Sequence, residues 1–132
     1  MRRRIALVTL VVDDYDAAIR FYTEALGFRL AEDESRPGGG RWVVVEPGGD
    51  GPGGGLLLAK AGNEAQRARI GDQTGGRVGF FLHTDDFARD HARMRAAGVT
   101  FLEEPRHEPY GSVAVFEDLY GNRWDLLQPA AD

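Results

Sequence analysis

Residues 8–15 read Val-Thr-Leu-Val-Val-Asp-Asp-Tyr, and residues 80–87, 72 positions later, read Phe-Phe-Leu-His-Thr-Asp-Asp-Phe. Each is an apolar run closed by Asp-Asp-aromatic. Each opens an amphipathic helix that ends at Leu26-Gly27-Phe28 or Ala97-Gly98-Val99. A repeat of this length means two copies of one supersecondary unit, which restricts the chain to folds that pair such units. Paired units can enclose a space between them, and a ligand site is expected there.

The remaining composition narrows the function classes. With 132 residues, 42% of them apolar and 28% charged, the chain has the balance of one globular domain with a real core. A net charge of −5 argues against nucleic-acid binding, which needs a basic face. The absence of cysteine excludes disulfides, thiolate metal sites and cysteine nucleophiles. Arg2-Arg3-Arg4 before Ile5 to Val12 has a signal-peptide flavour. Yet the apolar stretch alternates like a strand and runs into Asp13 and Asp14, so it reads as the first strand of a cytoplasmic protein with no membrane role. Fifteen of the 16 basic residues are arginine, a codon signature of a GC-rich bacterial genome.

The pattern predicts an α+β chain of two βαβββ units: unit one over 1–62, a linker over 63–76 and unit two over 77–132. In unit one, strand Ile5–Val12 leads to a helix capped by Asp13 or Asp14. Its apolar face is Tyr15, Ala18, Ile19, Tyr22 and Leu26, and Gly27 stops it. Strands Phe28–Asp33, Arg41–Glu46 and Gly55–Lys60 follow, separated by turns at 37–40 and 48–55. Asn63–Ile70 reads as a short linking helix. Unit two runs strand Val78–Thr84, helix Asp86–Ala97, and strands Val99–Glu103, Ser112–Glu117 and Arg123–Gln128, with a tight turn at 118–122. The glycine-rich 48–55 segment joins strands and opens no helix, which argues against a phosphate cradle.

The two units, Val12-x-Asp14 with Phe21-Tyr22 and Leu26-Gly27-Phe28, and the closing Gly121-Asn122-x-x-Asp125 together resemble the vicinal oxygen chelate superfamily. This group contains glyoxalase I, bleomycin- and fosfomycin-resistance proteins and extradiol dioxygenases. The resemblance covers nearly the whole chain. It implies that each unit's curved mixed sheet forms a half-barrel and that two half-barrels enclose a cavity. It also implies a homodimer. Enzymes of the group hold a divalent ion with His, Gln or Glu at four strand positions, which fall here on Leu7, Gly79, Asp125 and about Leu57 (within Leu56–Leu58). Three of the four carry no donor, so the resemblance implies no metal at the usual place and no cofactor.

Strand alternation sorts the side chains by face. With Leu7 toward the cavity, Thr9 and Val11 join it, and Val8, Leu10 and Val12 pack under the helix. In unit two Gly79, Phe81, His83, Arg123, Asp125 and Leu127 face the cavity, while Phe80, Leu82, Trp124 and Leu126 face the helix. Asp125 reads as a ligand-orienting carboxylate or general base, or as the partner of Arg123 or another cation. His83 reads as a proton shuttle or a hydrogen-bonding rim residue. Arg123 can clamp an anionic group or simply lie at the surface. Phe81, Tyr110 and Trp42 can stack on a planar ligand or pack as ordinary aromatics, and the facing of Trp42 stays open. His91 falls on the helix's apolar stripe as a packed, hydrogen-bonded residue. His107 has no assigned role, and Glu32-Asp33-Glu34 and Glu103-Glu104 read as solvated strand ends or as paired carboxylates that bind a cation weakly. Together these features predict a small-molecule binder with a metal-free cavity that sequesters an antibiotic or aromatic compound through Thr9, Phe81, His83, Tyr110, Arg123 and Asp125. The alternatives are a lyase, isomerase or dioxygenase with an atypical metal site or with His83 or Asp125 as base, and an interaction module whose cavity is closed by apolar side chains.

Overall fold

The computed structural model describes residues 1–49 and 53–131, so part of the turn expected over 48–55 lies outside the described residues. The chain divides into two compact units, Met1–Ile70 and Gly71–Asp132.

The first unit contains β1 (Leu7–Val12), α1 (Tyr15–Arg20), β2 (Arg29–Ser35), β3 (Arg41–Glu46), β4 (Gly55–Lys60) and the single turn α2 (Glu64–Arg67). Its open sheet has the order β1-β4-β3-β2, parallel between β1 and β4 and antiparallel elsewhere. Asp14 starts α1 by accepting a 2.8 Å hydrogen bond from the Ala17 amide, which satisfies one of the free donors of the first turn. Beyond Arg20 the helix widens into a π-helical turn over Phe21–Ala25, where the Leu26 amide reaches back to the Phe21 carbonyl. The sequence repeat accounts for this turn. The cap-to-glycine distance is 13 residues from Asp14 to Gly27 but 12 from Asp86 to Gly98, and one extra residue in a helix is absorbed by a π turn. Gly27, at φ 74°, ends the helix in the left-handed region.

Leu10 and Val12 of β1, Val43 and Val45 of β3 and Leu58 of β4 are buried with Ala18 and Tyr22. Val8, expected under the helix, is instead 49% exposed; alternation sets a residue's face, but not how far the helix reaches along the strand. The helix expected over 63–70 is regular only at Glu64–Arg67.

The second unit contains β5 (Val78–His83), α3 (Phe87–Ala96), β6 (Thr100–Phe101), β7 (Arg106–Glu108), β8 (Gly111–Glu117) and β9 (Arg123–Pro129). Its mixed, open sheet has the order β5-β9-β8-β6, with β7 also pairing β8. The strand expected over Val99–Glu103 is thus only Thr100–Phe101, and β7 is an additional strand. Residues 102–105 bulge between the two. Pro105 has no N–H to give a ladder, and the Glu103 carboxylate accepts the Val115 amide at 3.0 Å.

One row of rings crosses this sheet beneath α3. Phe80, Trp124, Phe116 and Phe101 are cross-strand neighbours, with centroid separations of 4.7, 5.8 and 5.6 Å along the row. The row ends on His91, whose ring lies 4.4 Å from Phe101 and 5.3 Å from Phe87. His91 is therefore packed as expected, but by ring contacts rather than the anticipated hydrogen bond. The turn before β9 is closed by buried Asp118, which accepts from the amides of Tyr120 and Asn122 and from the Asn122 side chain, each at 2.9 Å.

Candidate functional site

The chemically loaded surface is the face of the second unit's sheet that α3 does not cover. In the β5–β9–β8 register, Phe81 lies beside Asp125 and Asp125 beside Val115; one step along, His83 lies beside Leu127, Leu127 beside Val113, and Val113 beside Arg106 of β7. Paired residues share a face, so Phe81, His83, Asp125 and Arg106 belong to one surface. Phe81 is 61% exposed there, an unusual place for a large apolar ring.

Asp125 is half-buried, and its Oδ1 is shielded from solvent with no hydrogen-bond partner among the described residues. Burial pushes its carboxyl above the ordinary range; nearby Arg106 pulls it down and Glu103 pushes it up. Arg106 is engaged elsewhere. Its Nε donates to Glu103 Oε1 at 2.9 Å, and its Nη1 reaches Glu108 Oε1 and the Tyr110 hydroxyl, both at 3.4 Å. Bonds to Glu103 and then Tyr110 hold this guanidinium firmly charged. Glu103, expected as part of a solvated strand end, is instead a tie between Arg106 and the backbone of β8.

Sequence reasoning misses Arg106 because the strand that carries it, β7, is not among the strands that the pattern predicts. The available signal was the alternation of Arg106 and Glu108 ahead of the Pro109-Tyr110-Gly111 turn. Tyr110 is 54% exposed at that turn, which carries its hydroxyl to Arg106.

The other expected residues have different surroundings. His83 is exposed at the end of β5. Arg123 is exposed, and its Nη1 donates to the Gly76 carbonyl at 3.2 Å, so it ties down the segment before β5. His107, left without a role, bonds through Nδ1 to Ser112 Oγ at 3.0 Å. In the first unit Thr9 is exposed beside Leu57, which pairs in turn with Val44. The parity of β3 places Trp42 on the same face as Val44, where its Nε1 donates to Glu32 at 3.3 Å beneath Arg36.

The register also settles which leucine matches Asp125. Thr9 pairs with Leu57 as Phe81, 72 residues later, pairs with Asp125. Leu7, Leu57, Gly79 and Asp125 thus offer one carboxylate, and no group of three or more His, Asp or Glu suited to a metal ion occurs among the described residues. A Cβ on Gly79 would meet Thr74 Cγ2 at 2.4 Å, so a ligand side chain there would first have to displace the Thr74 side chain. These residues do not fit a divalent ion, which needs several N or O donors.

Comparison with known proteins points in one direction. The profile of the Glyoxalase/Bleomycin resistance protein/Dioxygenase superfamily matches residues 4–126. An uncharacterized protein of Shewanella frigidimarina (strain NCIMB 400) is 53% identical over 129 residues, covering 97% of this chain and 95% of its own. Among solved structures, UcmS2 is 39% identical with a TM-score of 0.81, over 96% of this chain and 98% of that one. TnmS3, an antibiotic binding protein from Streptomyces sp. CB03234, is 31% identical with a TM-score of 0.75, over 98% of both chains.

Proposed function

Because the chain belongs to the glyoxalase/bleomycin resistance protein/dioxygenase superfamily, we propose that it binds an aromatic small molecule, an antibiotic among the candidates, on the open face of the second unit's sheet without a metal ion. The observation that carries the reading is Phe81, exposed beside a carboxylate whose Oδ1 lacks a partner among the described residues. A planar ligand can stack on the Phe81 ring and donate a hydrogen bond to Asp125, relieving the cost of that buried acceptor. Tyr110 adds aromatic surface, and the ties from Arg106 to Glu103 and Tyr110 preorganise it, so little side-chain entropy is lost on binding. His83 and Arg123 are rim contacts in this reading, whereas Thr9 belongs to the first unit. The antibiotic-binding activity of TnmS3 supports the ligand class. A homodimer in the cytoplasm belongs to the same proposal.

Thermal-shift titration with aromatic antibiotics and quinones tests it. A true ligand at a hundredfold excess over its Kd stabilises the fold by about 2.7 kcal/mol, and Phe81→Ala and Asp125→Asn each weaken that ligand by roughly 1–2 kcal/mol. A panel that leaves the melting temperature unmoved removes the proposal.

The raised Asp125 carboxyl favours one second reading, a metal-free enzyme with Asp125 as general base. Conversion of a bound compound that stops in Asp125→Asn, with binding retained, selects it.

A further inference from the structure

A pocket of about 350 Å³ opens on the other side of the second unit's sheet, between the C-terminal half of α3 and β6. It lies within the size range of small-molecule sites. The repeat shows how it arises. In the first unit the equivalent positions carry Ile19, Thr23 and Phe28, and Phe28 is buried against the Tyr22 ring. In the second unit these become His91, Arg95 and Val99, and the loss of a ring at Val99 leaves space where Phe28 fills its own unit.

Phe101 and His91 give the pocket an aromatic wall, Arg95 and Glu104 bring a charge of each sign, and Glu103 adds a second carboxylate that is already bonded to Arg106. The side chains of Arg95 and Glu104 make no hydrogen bond or ion pair among the described residues. Both stand close enough to the His91 ring to bias its proton affinity in opposite directions, so the two charges flank the same wall. Opposite charges that line one concave site without neutralising each other suit a ligand carrying the complementary pair.

We propose that this pocket is a second binding site, for a free amino acid with an apolar side chain. Its carboxylate pairs with Arg95, its ammonium pairs with Glu104, and its side chain lies against Phe101 and Val99. Arg95 suits the carboxylate because a guanidinium can grip both oxygens at once. Its anchors, Arg95 and Glu104, take no part in the Phe81–Asp125 face; Glu103 borders both, with its carboxylate already held by Arg106 and the Val115 amide.

Amide-resolved NMR titration of the full chain with L-phenylalanine, phenethylamine and 3-phenylpropionate tests the assignment. L-Phenylalanine is expected to shift the amides of Arg95, Thr100, Phe101 and Glu104, and each half-charged analogue to bind at least roughly tenfold more weakly. Arg95→Gln and Glu104→Gln, both surface changes that spare the core, are each expected to weaken L-phenylalanine by a similar factor. Val99→Phe, which restores the ring of the first unit, is expected to abolish binding. Unmoved pocket amides, equal binding of a half-charged analogue, or full affinity in the two charge variants would overturn the proposal.

Discussion

Asp125 bears an electrostatic cost that Arg106 only partly offsets, because that guanidinium is shared among Glu103, Glu108 and Tyr110. Its folded-state pKa lies above the unfolded value, so folding takes up a proton here. The destabilisation is fully present above the folded pKa and vanishes below the ordinary aspartate value of about 3.9. NMR titration of the Asp125 side-chain carboxyl is therefore expected to give a midpoint above that value, and Asp125→Asn to flatten this part of the acid-side stability profile. A midpoint at or below the ordinary value would show that Arg106 outweighs burial. The facing of Asp125 was legible in the sequence, since alternation along Arg123–Leu127 suffices. Its partner was not: Arg106 arrives from a strand 19 residues away in sequence, through pairing with β8.

Elements follow the same division. Apolar alternation predicts that Phe80 and Trp124 face the helix, but the row of four rings exists only because β5, β9, β8 and β6 align in one register. Trp124 sits inside that row, 4% exposed, with rings at 4.7 and 5.8 Å. Trp124→Ala is expected to cost about 3–5 kcal/mol in urea unfolding, and a loss under 1 kcal/mol would deny the row a structural role. The β7–β8 hairpin depends on Gly111, at φ 147°, where an added Cβ would lie 2.1 Å from the Gln128 carbonyl oxygen. Backbone cannot yield as a side-chain tip does, so Gly111→Ala is expected to cost roughly 3 kcal/mol or more. It should also weaken ligand binding by displacing Tyr110 and Arg106. Unchanged stability and affinity would mean that the hairpin and site are uncoupled. The π turn, by contrast, was within reach of sequence: the extra residue between Asp14 and Gly27 is visible on comparing the repeats, although its placement at Phe21–Ala25 is not.

At the scale of the whole molecule, the four metal-equivalent positions hold one carboxylate between them, and a side chain at Gly79 would first have to displace that of Thr74. Prolonged treatment with a chelator is therefore expected to leave both the melting temperature and the affinity for the aromatic ligand unchanged. A drop in either, restored by a divalent ion, would require donors from elsewhere in the chain. No helix among the described residues is long and apolar enough to cross a membrane.

By itself, the sequence determined the duplication, the alternation of faces and the lack of donors at Leu7, Leu57 and Gly79, because these depend on residue identity and on spacings local to one strand or helix. Only the tertiary structure decided the interruption of β6 and β7, the ring row, the capture of Arg106 by Glu103 and the pocket beside Val99. Each of these depends on how separate strands register and how far a helix reaches over them. Such contacts are set by long-range pairing and packing, to which local periodicity carries no reference.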